Sequence, residues 1–219
     1  MITGMNKINK TLFIALTLLT TGVSQAADTA TNGLMKTTDA QAAQTTSTQS
    51  WTLTELMAAL AEVKTRNDTF TETKHLSVLE QPLRMSGKLF FSAPDRIEKH
   101  IEKPEPSAYI VKGSELLIRM FRQRERKVVL FQYPAIQAFV ESMRATLAGD
   151  LKTLKEYYTV GFKSNGQDWQ LNLEPVDEDM KDYVTEITIK GHNTQLSTIE
   201  TQERDSDRSI MTIQSGRDH

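Results

Sequence analysis

Between Leu83 and Phe91 the chain alternates: Leu83, Met85, Gly87, Leu89 and Phe91 are apolar or glycine, while Arg84, Ser86 and Lys88 between them are polar. A period of two sends successive side chains to opposite faces of an extended backbone, so this run predicts a strand with one wet face and one buried face. It stops at Pro94, which has no amide proton to give to a ladder. Ile97 and Ile101 carry the alternation past the proline, and Tyr109-Ile110-Val111 leads to a turn at Lys112-Gly113-Ser114. Leu116 to Phe121 and Lys127 to Tyr133 form a further pair around a tip at Gln123-Arg124-Glu125. Later runs are Val160 to Phe162, Trp169 to Leu173, Ile187 to Ile189, Ile199, and Met211 to Ile213, with Asn165-Gly166 and Asp205-Ser206-Asp207 as hairpin turns. Short strands joined by tight polar turns predict a mainly β chain with one curved antiparallel sheet.

Two segments follow a different period. Thr52 and Glu55 have capping-box spacing, and Leu53, Leu56, Met57, Leu60 and Val63 recur at intervals of three and four. They predict an amphipathic helix ending near Asn67-Asp68. Pro134 suits a first helical turn, and Ile136, Phe139, Val140, Met143 and Leu147 make one apolar stripe. Gly149 is placed for a left-handed cap, and Asp150 for starting a shorter helix with Leu151 and Leu154.

Ahead of Trp51 the chain reads as an address. Lys7 and Lys10 lie in a stretch without acids, an apolar run extends from Leu12 to Val23, and Ser24-Gln25-Ala26 ends it with small residues. The run is shorter than the roughly 20 residues needed to span a bilayer. Residues 1–26 are therefore expected to be a cleaved export signal, 27–50 a flexible leader rich in Ala, Thr, Gln and Ser, and 51–219 the folded domain of a periplasmic protein. Loss of Lys7 and Lys10 takes the 26 basic residues to 24 against 28 acidic ones, a net of −4. That balance argues against a nucleic-acid partner. The chain has no cysteine, which excludes disulfides, thiolate metal sites and a lipid anchor on a cysteine.

Catalytic and metal motifs are sparse. His75, His100, His192 and His219 lack partners at metal-ligand spacing, and the cluster Asp177, Glu178, Asp179 and Asp182 lacks the rhythm of a calcium loop, so it reads as a solvated loop. Neither a G-x-S-x-G elbow nor a phosphate loop is present. No enzyme activity and no cofactor are expected. The run Arg119, Arg122, Arg124, Arg126 and Lys127 reads either as the solvated tip of a hairpin or as a docking patch for an anionic surface or acidic partner.

The apolar residues say more. One sheet with one apolar face needs a second layer, and inward-curving apolar surface that two helices leave uncovered is a ligand site by default. On the earlier strands the candidates are Phe91, Ile97, Ile101, Tyr109, Val111 and Phe131. On the second helix they are Phe139 and Met143, and on the later strands Trp169, Leu171, Leu173, Ile187 and Ile189. Which sheet face lines the hollow is left open by the pattern, and plain core is the competing reading for each.

From Trp51 to Ile213 the order of pieces resembles the periplasmic lipoprotein-carrier family, the LolA-like proteins. The pieces are the opening helix, Phe70-Thr71-Glu72-Thr73-Lys74, Gly87-Lys88-Leu89-Phe90-Phe91-Ser92-Ala93-Pro94-Asp95-Arg96-Ile97, Gly149-Asp150 with Leu154, Trp169-Gln170-Leu171-Asn172-Leu173-Glu174-Pro175, and Ile187-Thr188-Ile189. The resemblance implies an unclosed β-barrel lidded by helices, with acyl chains held in the hollow. It also implies a monomer that meets an acylated lipoprotein or lipid-like ligand and an inner-membrane export complex or exporter. In the carriers an arginine just before the strand-ending proline helps hold the lid shut; here that position is Ala93, so the latch is not carried over. A sensing module that binds a lipid or lipoprotein and reports to a membrane partner stands as the alternative on the same fold.

Overall fold

The computed structural model describes residues 50–216, so the expected signal, nearly all of the expected leader and the last three residues lie outside the described residues. Helix α1 spans Leu53–Ala61. Its capping box is formed: the Thr52 amide donates to Glu55 Oε2 at 2.8 Å and the Glu55 amide to Thr52 Oγ1 at 3.2 Å. The helix stops earlier than its periodicity predicts. Val63 falls outside it, and Asn67-Asp68 belong to strand β1, Thr65–His75. The reason is a period of two concealed by polar residues: Arg66, Asp68, Phe70, Glu72 and Lys74 face inward, and ladders to strands on both sides override the local helical signal.

Strands β2 (Leu83–Ser92), β3 (Arg96–Lys103), β4 (Ser107–Lys112), β5 (Glu115–Met120) and β6 (Arg126–Val129) follow as a meander. The expected strand to Tyr133 ends at Val129, because its partner β5 begins at Glu115 and has no residue left to pair. Leu130–Gln132 instead form a single tight turn, with the Leu130 amide donating to Ser114 O at 2.9 Å.

Helix α2 covers Pro134–Ala148 and ends at Gly149, whose φ is 67°. A Cβ there would lie 2.0 Å from Met57 O, so only glycine allows both the cap and the close seating of α2 on α1. Helix α3, Leu151–Tyr157, is capped by Asp150. Then come β7 (Tyr158–Asn165), β8 (Asp168–Pro175), the short helix α4 (Glu178–Lys181), β9 (Val184–His192), β10 (Gln195–Glu203) and β11 (Arg208–Ser215). The acidic cluster read as a loop is therefore a helical turn, capped by Asp177 at 3.0 Å from the Met180 amide and anchored by the buried Met180.

All eleven strands form one antiparallel sheet in the order β6-β5-β4-β3-β2-β1-β11-β10-β9-β8-β7. The first and last strands pair in the middle of the sheet, and its edges, β6 and β7, are consecutive in sequence. What joins them is α2 and α3. The sheet is an unclosed barrel whose gap is bridged by helices rather than by a ladder.

Candidate ligand cavity

The two halves of the hollow are filled differently. Beneath β7 to β9, Leu154, Tyr158, Met180 and Val184 are packed to the centre, and the Tyr158 hydroxyl donates to Ala138 O on α2 at 3.2 Å. Beneath β1 to β4 and β10 to β11 a cavity of about 150 Å³ remains.

Its walls follow from strand register. Phe91 pairs with Ile97 and Ile97 with Val111, so these three make one rung, with Leu89 and Tyr109 beside it. Met211 pairs with Ile199 on the other wall, flanked by Leu196 and Ile213. The roof is α2. Ile136, Ala138 and Ala145 are buried in the packed half, whereas Phe139, Met143 and Leu147, spaced by four, are only half-buried and line the cavity with Val140. A space of this size holds a guest on the scale of benzene, below the few hundred Å³ usual for ligand sites. A longer chain enters only if the roof moves.

The lining also contains charge, all of it on the inward faces of β1 and β3. Glu72, 3% exposed, accepts from Lys99 Nζ at 2.5 Å and from Ser209 Oγ at 2.6 Å, with Lys74 Nζ at 3.6 Å. Burial opposes its ionisation, but the two ammonium groups prevail and lower its pKa to about 2. Burial pulls Lys74 down to about 8 against the attraction of Glu72. Burial also raises the Tyr109 phenol, helped by the same carboxylate. Lys99 lies 5.2 Å from the centre of the Phe70 ring. Arg66 and Asp68 share the cavity face further along β1.

Of the candidates read from the sequence, Phe91, Ile97, Tyr109, Val111, Phe139 and Met143 meet at this cavity. Ile101, Leu171, Leu173, Ile187 and Ile189 are packed core outside its lining. Trp169, 3% exposed, lies against Gly191, where a Cβ would come within 2.2 Å of the ring, and its Nε1 donates to Asn193 O at 2.7 Å. Phe131, in the turn after β6, faces solvent at 66% exposure. The residues sequence reasoning passed over include Leu89, Leu147, Leu196, Ile199, Met211 and Ile213, with the charged groups of β1 and Lys99 of β3. Leu89, Leu147, Ile199, Met211 and Ile213 lie in the apolar runs that the sequence shows, and Leu196 alone of the six lies outside them. The β1 charges carried a period of two that only the inward placement of Phe70 makes visible.

The basic run lies outside, on the β5–β6 hairpin. Arg119 pairs with Glu125 at 2.7 Å, Lys127 with Glu115 at 3.8 Å, and the Arg122 guanidinium stacks 4.9 Å from the Phe121 ring. Among the described residues no three His, Asp or Glu side chains gather to hold a metal ion.

Residues 40–217 match the family described as outer membrane lipoprotein carrier protein LolA-like. No curated protein matches the chain. Among solved structures it is similar to a LolA superfamily protein from Nitrosomonas europaea, at 10% identity and a TM-score of 0.40, over 77% of this chain and 95% of that one. It is also similar to a DUF1329 family protein from Desulfovibrio piger, at 10% identity and a TM-score of 0.43, over 74% and 88%. A chain of the Pseudomonas aeruginosa MucA/MucB complex is similar at 9% identity and a TM-score of 0.38, over 76% of this chain and 59% of that one.

Proposed function

The chain belongs to the outer membrane lipoprotein carrier protein LolA-like family, and on that footing we propose that it is a periplasmic carrier. It takes the acyl chains of a lipoprotein, or another lipid-like molecule, into the cavity under α2 and shields them on the way toward the outer membrane. The observation that supports this reading is the lining: an apolar hollow between two sheet walls, roofed by half-buried Phe139, Met143 and Leu147 instead of packed core. Burying about ten methylenes at ~0.8 kcal/mol each gains roughly 8 kcal/mol before ordering costs, which sets the micromolar range as the upper bound on affinity from that many methylenes. Apolar contact has no directional bonds to break, so cargo so held is released when the roof opens. The work is binding and release, without bond chemistry and without a cofactor.

The test is uptake of N-phenyl-1-naphthylamine, an uncharged probe that fluoresces in apolar surroundings. The purified protein is expected to bind it saturably at micromolar concentration. Met211→Trp fills the cavity from its β11 wall and is expected to abolish the signal with the fold intact. A protein that binds no apolar probe, or a Met211→Trp variant that binds unchanged, would sink the carrier reading.

A further inference from the structure

One end of the cavity carries a guanidinium that feels the nearby Asp68 carboxylate but has N–H groups without an acceptor. Arg66 lies on β1 opposite Phe91, at the Phe91, Ile97 and Val111 rung. Its Nε and Nη2 are buried and have no hydrogen-bond partner. Buried donors are nearly always satisfied, because an unmet one bears its full desolvation cost. Asp68, two residues along on the same face, lines the same cavity but accepts no hydrogen bond from those nitrogens. The other charged end is different. Six residues further, about 20 Å at strand rise, the Glu72 carboxylate is already engaged by Lys99 and Ser209. Lys74 Nζ also lacks a hydrogen bond, but it lies 3.6 Å from the Glu72 carboxylate and outside the cavity lining. Among the residues that line the cavity, the buried side-chain donors without a partner are those of Arg66.

We infer that the cavity takes an amphiphile with an anionic end, a carboxylate or a phosphate, which the Arg66 guanidinium binds while the chain lies along the apolar lining. A guanidinium presents its N–H groups as a planar fork that matches two oxygens of either anion, and such charge-assisted pairs are the strong ones. In a dry setting the pairing is reinforced by the low local dielectric. The inference rests on the carrier reading and goes further, since a cavity selecting for apolar bulk alone has no use for guanidinium N–H groups left without an acceptor in its wall.

Three ligands with the same tail separate the two readings: dodecanoate, dodecyl phosphate and dodecanol, each displacing N-phenyl-1-naphthylamine from the purified protein. Arg66→Gln is expected to weaken at least one of the anions by about tenfold or more while changing dodecanol by less than about twofold. The anion that loses more identifies the head group. Arg66→Lys keeps a charge without the fork and is expected to fall between. Retained probe binding in each variant shows that the cavity is intact. Equal losses for the alcohol and both anions, or anion affinities unchanged in Arg66→Gln, overturn the inference. A wild-type protein that binds the probe and dodecanol but neither anion overturns it and leaves the carrier reading standing; one that binds none of them overturns both.

Discussion

Arg144, in the last turns of α2, donates from Nη2 to the carbonyl oxygen of Gly113 in the β4–β5 turn at 2.9 Å. Its guanidinium also lies 3.5 Å from Glu141 one turn back on the same helix. The roof of the cavity is therefore tied to the sheet by an arginine that the helix itself supplies. The position before Pro94, where the resemblance places a latch on the sheet, holds Ala93, whose amide donates to Lys64 O.

Cutting this tie should free the roof. Arg144→Met is expected to cost about 1–3 kcal/mol, the range for a hydrogen bond to a charged group. If that bond is broken in opening, uptake of the naphthylamine probe should speed up by about tenfold for each 1.4 kcal/mol lost from the closed state. Stopped-flow fluorescence reads the rate. An uptake rate equal to wild type, with stability reduced, would make Arg144 a packing residue and no latch.

Phe139 and Leu171 should respond in opposite senses. Leu171 is fully buried, and Leu171→Ala is expected to cost about 2–5 kcal/mol while leaving probe affinity nearly unchanged. Phe139 lines the cavity and is half-buried, so Phe139→Ala should cost less than the ~3–5 kcal/mol of a fully buried phenylalanine and weaken the probe instead. Urea unfolding and probe titration on the two variants give the comparison.

Much of the architecture was legible in the sequence because a sheet with one wet face writes its register as a period of two. The capping box at Thr52, the cap at Gly149 and the hairpins at Gly166 and Ser206 follow from local chemistry alone. β1 was hard to read because its inward face carries Arg66, Asp68, Glu72 and Lys74, and polarity was a poor guide to orientation there. The cavity was half legible. Trp169 and Ile187 alternate as convincingly as Phe91 and Ile97, yet α3 and α4 fill the hollow under one set and leave it open under the other. Which half a helix fills is a long-range fact that no strand pattern contains.

The charged cluster should be asymmetric to mutation. Glu72→Gln strands the buried Lys74 ammonium and the half-buried Lys99 and is expected to cost about 3–5 kcal/mol at neutral pH. A carboxylate lowered from 4.5 to about 2 contributes stability that is complete above 4.5 and lost as pH falls toward 2, so the gap between wild type and Glu72→Gln should narrow over that window. Lys74→Met leaves Glu72 paired with Lys99 and Ser209 and should cost nothing or stabilise. Because burial lowers the lysine from 10.5 to about 8, that advantage should be largest below pH 8 and vanish as pH rises to 10.5. Denaturation midpoints across pH for the three proteins check both signs. A Lys74→Met variant several kcal/mol less stable than wild type would contradict the assignment.

The hairpin run we propose as a docking surface. Arg122, Arg124 and Arg126 are exposed, so replacing all three by glutamate should change stability by less than about 1 kcal/mol. Association with vesicles containing a third anionic phospholipid should slow at low salt, and the difference should shrink as salt rises. Identical rates for both proteins at low salt would leave the run as an ordinary solvated tip.

A sheet that begins and ends in its own middle has its weak joint in the middle of the chain. β1 is laced to β2 on one side and β11 on the other, so the wall farthest from the gap is held by two continuous ladders. At the gap, by contrast, β6 and β7 share no ladder, and the crossing from one to the other is carried by a single stretch of consecutive residues, 130–157. The molecule is built like a purse frame: one side is stitched along its length and the other is spanned by a single piece. Moving that one stretch therefore breaks no strand pairing, and a cavity enlarged by this route leaves the rest of the barrel in register.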